Sequence, residues 1–157
     1  MEALRVALAD HGFAGVSTYI QSGNIIFDAN GGKEKSASKI REIIKKEFGH
    51  DVVVMVLDKS ELENILKRNP FHVSDADLKK LYVTFLAEEP SKEGLEKLSG
   101  ADIGPDEAMV IGKAVYLKYA DSAGKSKLSN ALIENRLKVP STARNWNTCN
   151  KLLELLC

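Results

Sequence analysis

The side chains best suited to chemistry occur in seven consecutive residues near the C-terminus, 142–148, with the sequence Thr-Ala-Arg-Asn-Trp-Asn-Thr. They include the only tryptophan of the chain, Trp146, a permanent cation, Arg144, and the amides of Asn145 and Asn147. A guanidinium can clamp a phosphate or carboxylate with two parallel hydrogen bonds, and flanking amides can fix the orientation of that anion. The residues that follow predict a terminal helix, whose first N–H groups and dipole also favour an anion. We therefore predict a ligand site here.

A structural role explains the same seven residues. Trp146 could fill the seam between the terminal helix and a sheet, while Thr142 and Asn145 act as caps. The sequence leaves both roles open, and one set of residues can serve both.

A second candidate site precedes a helix predicted over 127–137. There the tripeptide Gly-Lys-Ser resembles the end of a phosphate-binding loop. Such a loop needs a glycine at the position of Tyr119, so the spacing argues against nucleotide hydrolysis. Lys125, Ser126 and Lys127 at a helix start could still bind one phosphate or carboxylate. The alternative is a solvated turn in which Ser126 caps the helix.

The composition is that of an ordinary globular protein. Its 157 residues, 44% of them hydrophobic, suit one domain or two small subdomains. No apolar run approaches the roughly 20 residues of a membrane span. Residues 1–10 are too short and too acidic at their end for a signal peptide, so we expect a cytoplasmic protein without a membrane partner.

The residue types that bind metals or attack substrates are scattered. His11, His50 and His72 lack ligand spacing, so we expect no metal and no cofactor. Cys149 and Cys157 would lie about 12 Å apart along one helix, too far for a disulfide, and we interpret them as core or helix-end thiols. No nucleophile–base pair or carboxylate pair emerges, and whether the chain is an enzyme stays open.

Charge is balanced over the whole chain but unevenly distributed. The balance of 22 basic against 22 acidic residues argues against a strongly electrostatic nucleic-acid binder. Residues 1–109 contain 14 Lys and Arg against 19 Asp and Glu, whereas residues 110–157 contain 8 against 3. The C-terminal third is therefore the part that would face an anion.

Hydrophobic periodicity and turn residues divide the chain into two halves with a similar order of elements. The first half predicts a helix over 2–11, a hairpin of 16–21 and 24–28, a helix over 36–48 and a strand over 51–57. A capping box at 58–61 opens a connecting helix that ends near residue 68. The second half predicts a strand over 81–87, a helix over 91–98, a hairpin of 108–111 and 114–119, a helix over 127–137 and a short last strand over 140–143.

Both halves follow the order of a ferredoxin-like fold, but the first half lacks the opening strand. We therefore predict an α+β protein of two ferredoxin-like βαββαβ subdomains: an incomplete one over 1–57, a connection over 58–80, and a complete one with a terminal helix over 81–157. The opening strand normally lies at the sheet centre, so its absence would leave its neighbours unpaired. A strand upstream of Met1, or self-association through this sheet, would supply the missing pairing.

Four motifs of the chain resemble those of the domain of unknown function 1697 family of bacterial proteins: the tryptophan motif over 142–148 and the segments 18–27, 69–71 and 126–128. The similarity runs over essentially the whole chain. The family usually has a second threonine at the position of Ala143, and its members begin with a strand and an Arg-Gly-Ile-Asn-Val-Gly-Gly loop that have no counterpart here. The resemblance implies two ferredoxin-related α+β subdomains and no assigned activity.

The turn between the first two predicted strands is a recognisable feature of that family. Its residues Ser22 and Asn24 could complete a ligand cleft. A plain hairpin around Gly23 explains the same residues without a ligand.

A nucleic-acid alternative rests on two tyrosines. Ferredoxin-like sheets that bind single-stranded RNA stack bases on aromatic side chains of their two central strands. Tyr82, and Tyr116 together with Lys118, would share one face of the second sheet if both strands alternate regularly.

The first functional hypothesis is binding of a small anionic ligand, phosphate-bearing or nucleotide-like, by the basic C-terminal third. A single-stranded nucleic-acid-binding module and a protein-interaction domain without a ligand are the alternatives.

Overall fold

The computed structural model of the protein describes residues 2–19, 23–28 and 31–156. The chain forms two compact units, Met1–Leu62 with Leu152–Cys157, and Glu63–Lys151. It contains helices and two antiparallel sheets, which confirms the predicted α+β class. No helix within the described ranges is long and apolar enough to cross a membrane.

The first unit contains a two-stranded antiparallel sheet and amphipathic helices. Leu8, Ile40 and Ile43 are its buried core, and they lie on two helices that pack with the hairpin. The predicted hairpin is confirmed, and Gly23 adopts a φ of 86° at its turn, a conformation that favours glycine. The elements are α1 (Glu2–Asp10), β1 (Ala14–Tyr19), β2 (Asn24–Asp28), α2 (Lys33–Phe48) and α3 (Lys59–Lys67), of which α3 continues into the second unit.

The strand predicted over 51–57 does not form. We call the six residues Val52–Leu57 the valine run. The run belongs to no helix or strand, and none of its residues makes a hydrogen bond with the described parts of the chain. Val52 and Val53 are 40% and 50% exposed. A strand exists only as one member of a hydrogen-bonded ladder, and within the described residues β1 and β2 pair with each other and not with this run.

The second unit contains a four-stranded antiparallel sheet covered by two helices that pack on each other. The strand order is β4-β5-β3-β6, so the first strand of this unit lies in the interior of the sheet, as the ferredoxin-like arrangement requires. This confirms the predicted topology of the second half. The elements are β3 (Leu81–Leu86), α4 (Lys92–Ser99), β4 (Glu107–Ile111), β5 (Ala114–Lys118), α5 (Asn130–Leu137), β6 (Ser141–Asn145) and α6 (Trp146–Leu155).

Helix starts are set by side-chain caps where the sequence supplies them. The predicted capping box is present at α3, where Glu61 N donates to Asp58 Oδ1 at 2.8 Å and Asp58 N donates to Glu61 Oε1 at 3.3 Å. Helix α5 begins three residues later than predicted, because Ser129 rather than Ser126 accepts the hydrogen bond of the cap.

Candidate functional site

The predicted residues Lys125, Ser126 and Lys127 line a cavity of about 300 Å³ in the second unit. We call it the Ser126 cavity; Asp106 and Asp121 also line it. Lys125 is the last residue of a short 3-10 turn, Ala123–Lys125, and Lys127 follows that turn. Both lysines precede α5, so the prediction that they lie at the start of this helix is wrong.

A buried carboxylate fixes this loop. Asp106 is 9% exposed, and its Oδ1 accepts a hydrogen bond from Ala120 N at 2.7 Å. Its Oδ2 accepts one from the Ser126 hydroxyl, whose oxygen in turn accepts from Leu128 N at 2.8 Å. Ser126 is therefore a structural bridge, and its hydroxyl is already used. No local pattern points to Asp106, because its partners lie 14 and 20 residues further along the chain.

The two lysines of the Ser126 cavity already face carboxylates. Lys125 Nζ lies 3.6 Å from Asp121 Oδ2, and Lys127 Nζ lies 3.0 Å from Asp102 Oδ2. The hydrogen bond from Lys127 lowers the pKa of Asp102 below its ordinary value. An anion entering here would have to replace these carboxylates.

Arg144 does not line the Ser126 cavity, so the two predicted clusters are separate. Its Nη1 donates to Thr142 Oγ1 at 2.6 Å and to the carbonyl oxygen of Ala143 at 2.8 Å. Burial lowers the pKa of Arg144 below its ordinary value. The guanidinium is thus bound to its own strand, β6, through these contacts.

The rest of the tryptophan motif builds the start of α6. Asn145 Oδ1 accepts from Thr148 N at 2.8 Å, which is the cap predicted for it. Trp146 is buried, and its ring lies 4.9 Å from that of His72, centroid to centroid. Asn147 is exposed. The amide of Asn150 donates to Trp146 O at 2.8 Å.

Cys149 is a core residue without nucleophilic character. It is fully buried, and burial raises the pKa of its thiol to about 12, so the thiol stays protonated at neutral pH. Its sulfur lies 3.9 Å from the carbonyl oxygen of Arg144. Cys157 lies outside the described residues.

The hairpin residues belong to the first unit. Asn24 is 7% exposed, and its Nδ2 donates to Tyr19 O at 3.1 Å across the turn. The side chain of Asn24 therefore helps to close the hairpin. Ser22 lies outside the described residues.

The shared aromatic face of the nucleic-acid alternative does not exist. Tyr82 pairs with Leu117, whereas Tyr116 pairs with Val83 on the same two strands, so the two tyrosines point to opposite faces. Tyr116 is 1% exposed, and its hydroxyl donates to Ile65 O at 2.6 Å.

The side chains of Tyr82 and Lys118 already contact other residues of the second unit. Tyr82 packs edge to face on Tyr119, with ring centroids 5.1 Å apart. Lys118 Nζ lies 3.6 Å from Glu107 Oε2. The prediction of one face for Tyr82, Tyr116 and Lys118 is wrong because it treated each strand separately and lacked the register.

Metal binding finds no support in the described residues, where no group of three or more His, Cys, Asp or Glu side chains is arranged to hold an ion.

Comparison with known proteins gives a family and a fold. The chain is similar to a solved structure of a conserved bacterial protein from Streptococcus pneumoniae, with 22% sequence identity and a TM-score of 0.76. The alignment covers 99% of this chain and 88% of that one. No curated protein matches the chain. The family described as protein of unknown function, DUF1697, matches residues 1–116, and the chain therefore belongs to this family.

Proposed function

We propose that the first unit is a protein-interaction module that associates with a second copy of the chain by strand pairing at the valine run. One observation carries this proposal: the run makes no hydrogen bond to the described parts of the chain, while Val52 and Val53 are about half exposed. An apolar segment with unpaired N–H and C=O groups is a template for another strand.

The composition of the valine run favours pairing. Its sequence, Val-Val-Val-Met-Val-Leu, has no charge, no proline and no glycine, and four of its six residues are β-branched. The aspartates that flank it are already paired with cations: Arg41 Nε lies 2.7 Å from Asp51 Oδ1, and Lys33 Nζ lies 3.9 Å from Asp58 Oδ2. The flanking charges therefore oppose association less than bare carboxylates would.

A second copy is the partner that this sequence suits best. An antiparallel pair formed by the same segment of two chains has a twofold axis, so apolar side chains meet apolar side chains on both strands. The backbone groups of the run would then gain a ladder that the single chain does not provide.

The test compares two valines of equal exposure. Val53 is 50% exposed and Val73 is 52% exposed, and Val73 lies outside the run. We expect the unsubstituted chain to form a dimer in analytical ultracentrifugation, Val53→Lys to be monomeric, and Val73→Lys to remain a dimer. A chain that is monomeric at all concentrations, or a dimer that Val53→Lys leaves intact, contradicts the proposal.

Amide hydrogen exchange gives an independent readout. Protection of the valine run should rise with protein concentration, because its amides are bonded only in the dimer. Full protection in a monomer would mean that the run has a partner within the chain and that the first unit has another topology. A chain extended by an upstream strand should be monomeric, with slow exchange in the run.

The second candidate function is the binding of a small anion by Lys125 and Lys127. The specific observation is that both ion pairs are on the surface, with all four side chains at least 70% exposed, and exposed pairs are worth little. Phosphate could therefore replace Asp121 and Asp102. The double variant Lys125→Ala/Lys127→Ala should then reduce the phosphate-induced rise in melting temperature, and an unchanged rise counts against this candidate.

The proposed location for both roles is the cytoplasm, where the thiol of Cys149 stays reduced. Fractionation of cells that express the chain would check this, and recovery outside the cytoplasm would exclude it.

A further inference from the structure

We infer that the first unit contains a binding site for a phosphate group at the start of α2, independent of strand pairing. The site is a cavity of about 210 Å³ that we call the Ser36 cavity. Its lining combines an open helix start, two ammonium groups, one hydroxyl and one carboxylate; the residues that carry the argument are Asp28, Gly31, Lys35, Ser36 and Lys39.

The helix start offers backbone donors. Helix α2 has 16 residues, and its N-cap, Gly32, has no side chain to accept a hydrogen bond from the first turn. The first N–H groups of a helix lack partners within the helix, and the dipole places partial positive charge there. Gly31, directly before the cap, lines the cavity.

The hydroxyl of Ser36 points independently to a ligand. Ser36 is 9% exposed, lines the cavity, and forms no side-chain hydrogen bond to the described residues. Its oxygen is not sealed in the core: the buried side-chain polar atoms without a partner in the described residues are Asn69 Nδ2 and Thr84 Oγ1. The Ser36 hydroxyl is therefore open to the cavity, and a ligand oxygen there would accept its hydrogen bond.

Two lysines on the same helix face add positive charge. Lys35 has no ion pair within the described residues. Lys39 lines the cavity while its Nζ donates to His11 O at 2.9 Å and lies 5.1 Å from the centre of the Phe13 ring. No carboxylate neutralises either ammonium group at ion-pair distance among the described residues, in contrast to Lys125 and Lys127.

Asp28 restricts the class of anion. Its carboxylate also lines the cavity and lies so close to Gly15 that a Cβ there would be 2.4 Å from Oδ2. A carboxylate repels a fully deprotonated anion but accepts a hydrogen bond from one that carries a proton. Hydrogen phosphate has such a proton and sulfate does not. The site should therefore prefer phosphate or a small phosphate monoester with a hydroxyl group over sulfate.

The experiment is a calorimetric titration of the chain with inorganic phosphate, glycerol 3-phosphate and sulfate. We expect millimolar or tighter binding of at least one phosphate compound and about tenfold weaker binding of sulfate. The stronger of the two phosphate compounds identifies free phosphate or an ester as the ligand class. Absence of binding by both overturns the inference.

Three variants locate the binding. Ser36→Ala should weaken phosphate binding while the melting temperature without phosphate stays about the same, because the hydroxyl has no partner in the described residues to lose. Asp28→Asn should reduce the preference for phosphate over sulfate. Lys35→Ala/Lys39→Ala should weaken binding by about tenfold or more.

The matched control is Lys45→Ala/Lys46→Ala, which removes the same charge from the last turn of α2, outside the Ser36 cavity. It should leave phosphate binding unchanged. If Lys125→Ala/Lys127→Ala abolishes all phosphate binding while Lys35→Ala/Lys39→Ala does not, the ligand is in the Ser126 cavity and the inference is wrong. Strand pairing is scored separately by ultracentrifugation, so either proposal can fail alone.

Discussion

The last strand predicted in each half of the chain shows the reverse of what its sequence favours. In the second unit, Ser-Thr-Ala-Arg-Asn is strand β6, although only one of its five residues is β-branched. In the first unit, the valine run is rich in β-branched residues and is not a strand. The difference is the neighbour: β6 pairs with β3 over five residues, whereas the run has no partner strand in the described chain. Strand formation here depends on an available edge more than on side-chain preference.

The two units also differ in how many partners their strands have and in how far the strand side chains are buried. Strand β3 pairs on both sides, and Leu81, Val83 and Thr84 on it are fully buried. The two strands of the first unit pair only with each other, and their side chains are mostly half-buried or exposed. We expect the second unit to be the more stable and the first to open more readily.

The largest effect is expected when one core side chain is removed from each unit in turn. Ile133 and Leu8 are both fully buried, and replacing either by alanine should cost about 2–5 kcal/mol. Ile133→Ala should lower the unfolding midpoint reported by Trp146, the only tryptophan. Leu8→Ala should accelerate amide exchange in β1 and β2 while β3 and β5 stay protected. Equal acceleration of both sheets by either variant would show that the units unfold together.

The two units should also differ in how their stability changes at alkaline pH. Burial raises the pKa of Cys149 and of Tyr119 to about 12, and it raises the pKa of Tyr116. The folded chain holds these protons more tightly than the unfolded chain, so stability is fully present below the unfolded pKa values. It should fall as the pH rises from about 9 towards about 12. All three groups lie in the second unit.

Denaturation followed by Trp146 fluorescence at several pH values checks this expectation. Cys149→Ala should make the alkaline decline shallower than in the unsubstituted chain, because it removes one of these three groups. A decline that is the same in the variant and in the unsubstituted chain would assign it to other groups.

Sequence reasoning identified the fold because its signals are local. The hairpin at Gly112, the capping box at Asp58 and the burial of β3 all follow from residues close together in the chain. The same reasoning failed where the structure depends on which strands pair and in which register. The valine run looked like a strand from its composition alone, and Tyr82 and Tyr116 looked like one aromatic face until the register placed them on opposite faces.

The candidate site was less predictable than the fold for the same reason. Ser126 is held by Asp106 across 20 residues, and Lys127 is paired with Asp102 across 25. No local pattern reveals such partners. The Ser36 cavity was missed because its lining comes from α2 and from the ends of other elements, each unremarkable alone.

Arg144 tests whether the tryptophan motif is structural. Lysine keeps the charge but loses the planar group that donates to Thr142 Oγ1 and Ala143 O. We expect Arg144→Lys to destabilise the second unit by about 1–2 kcal/mol and to leave the response to phosphate unchanged. Thermal denaturation with and without phosphate measures both. An unchanged melting temperature with a lost phosphate response would restore Arg144 as an anion clamp.

The smallest expected effect concerns Gly32, the N-cap of α2. It tests whether the first unit gains stability when this helix start receives a side-chain cap. Gly32 has the extended backbone of an N-cap, with φ −65° and ψ 149°, and an added Cβ would meet no atom within 4 Å. Gly32→Asp should therefore cap α2 and stabilise the chain without ligand by about 0.5 kcal/mol. The new carboxylate would occupy the donors assigned to phosphate, so the same variant should bind phosphate more weakly. Gly32→Ala supplies no acceptor and should lose a little stability while it keeps phosphate binding. If Gly32→Asp is stabilised and still binds phosphate as before, the helix start is not part of the phosphate site.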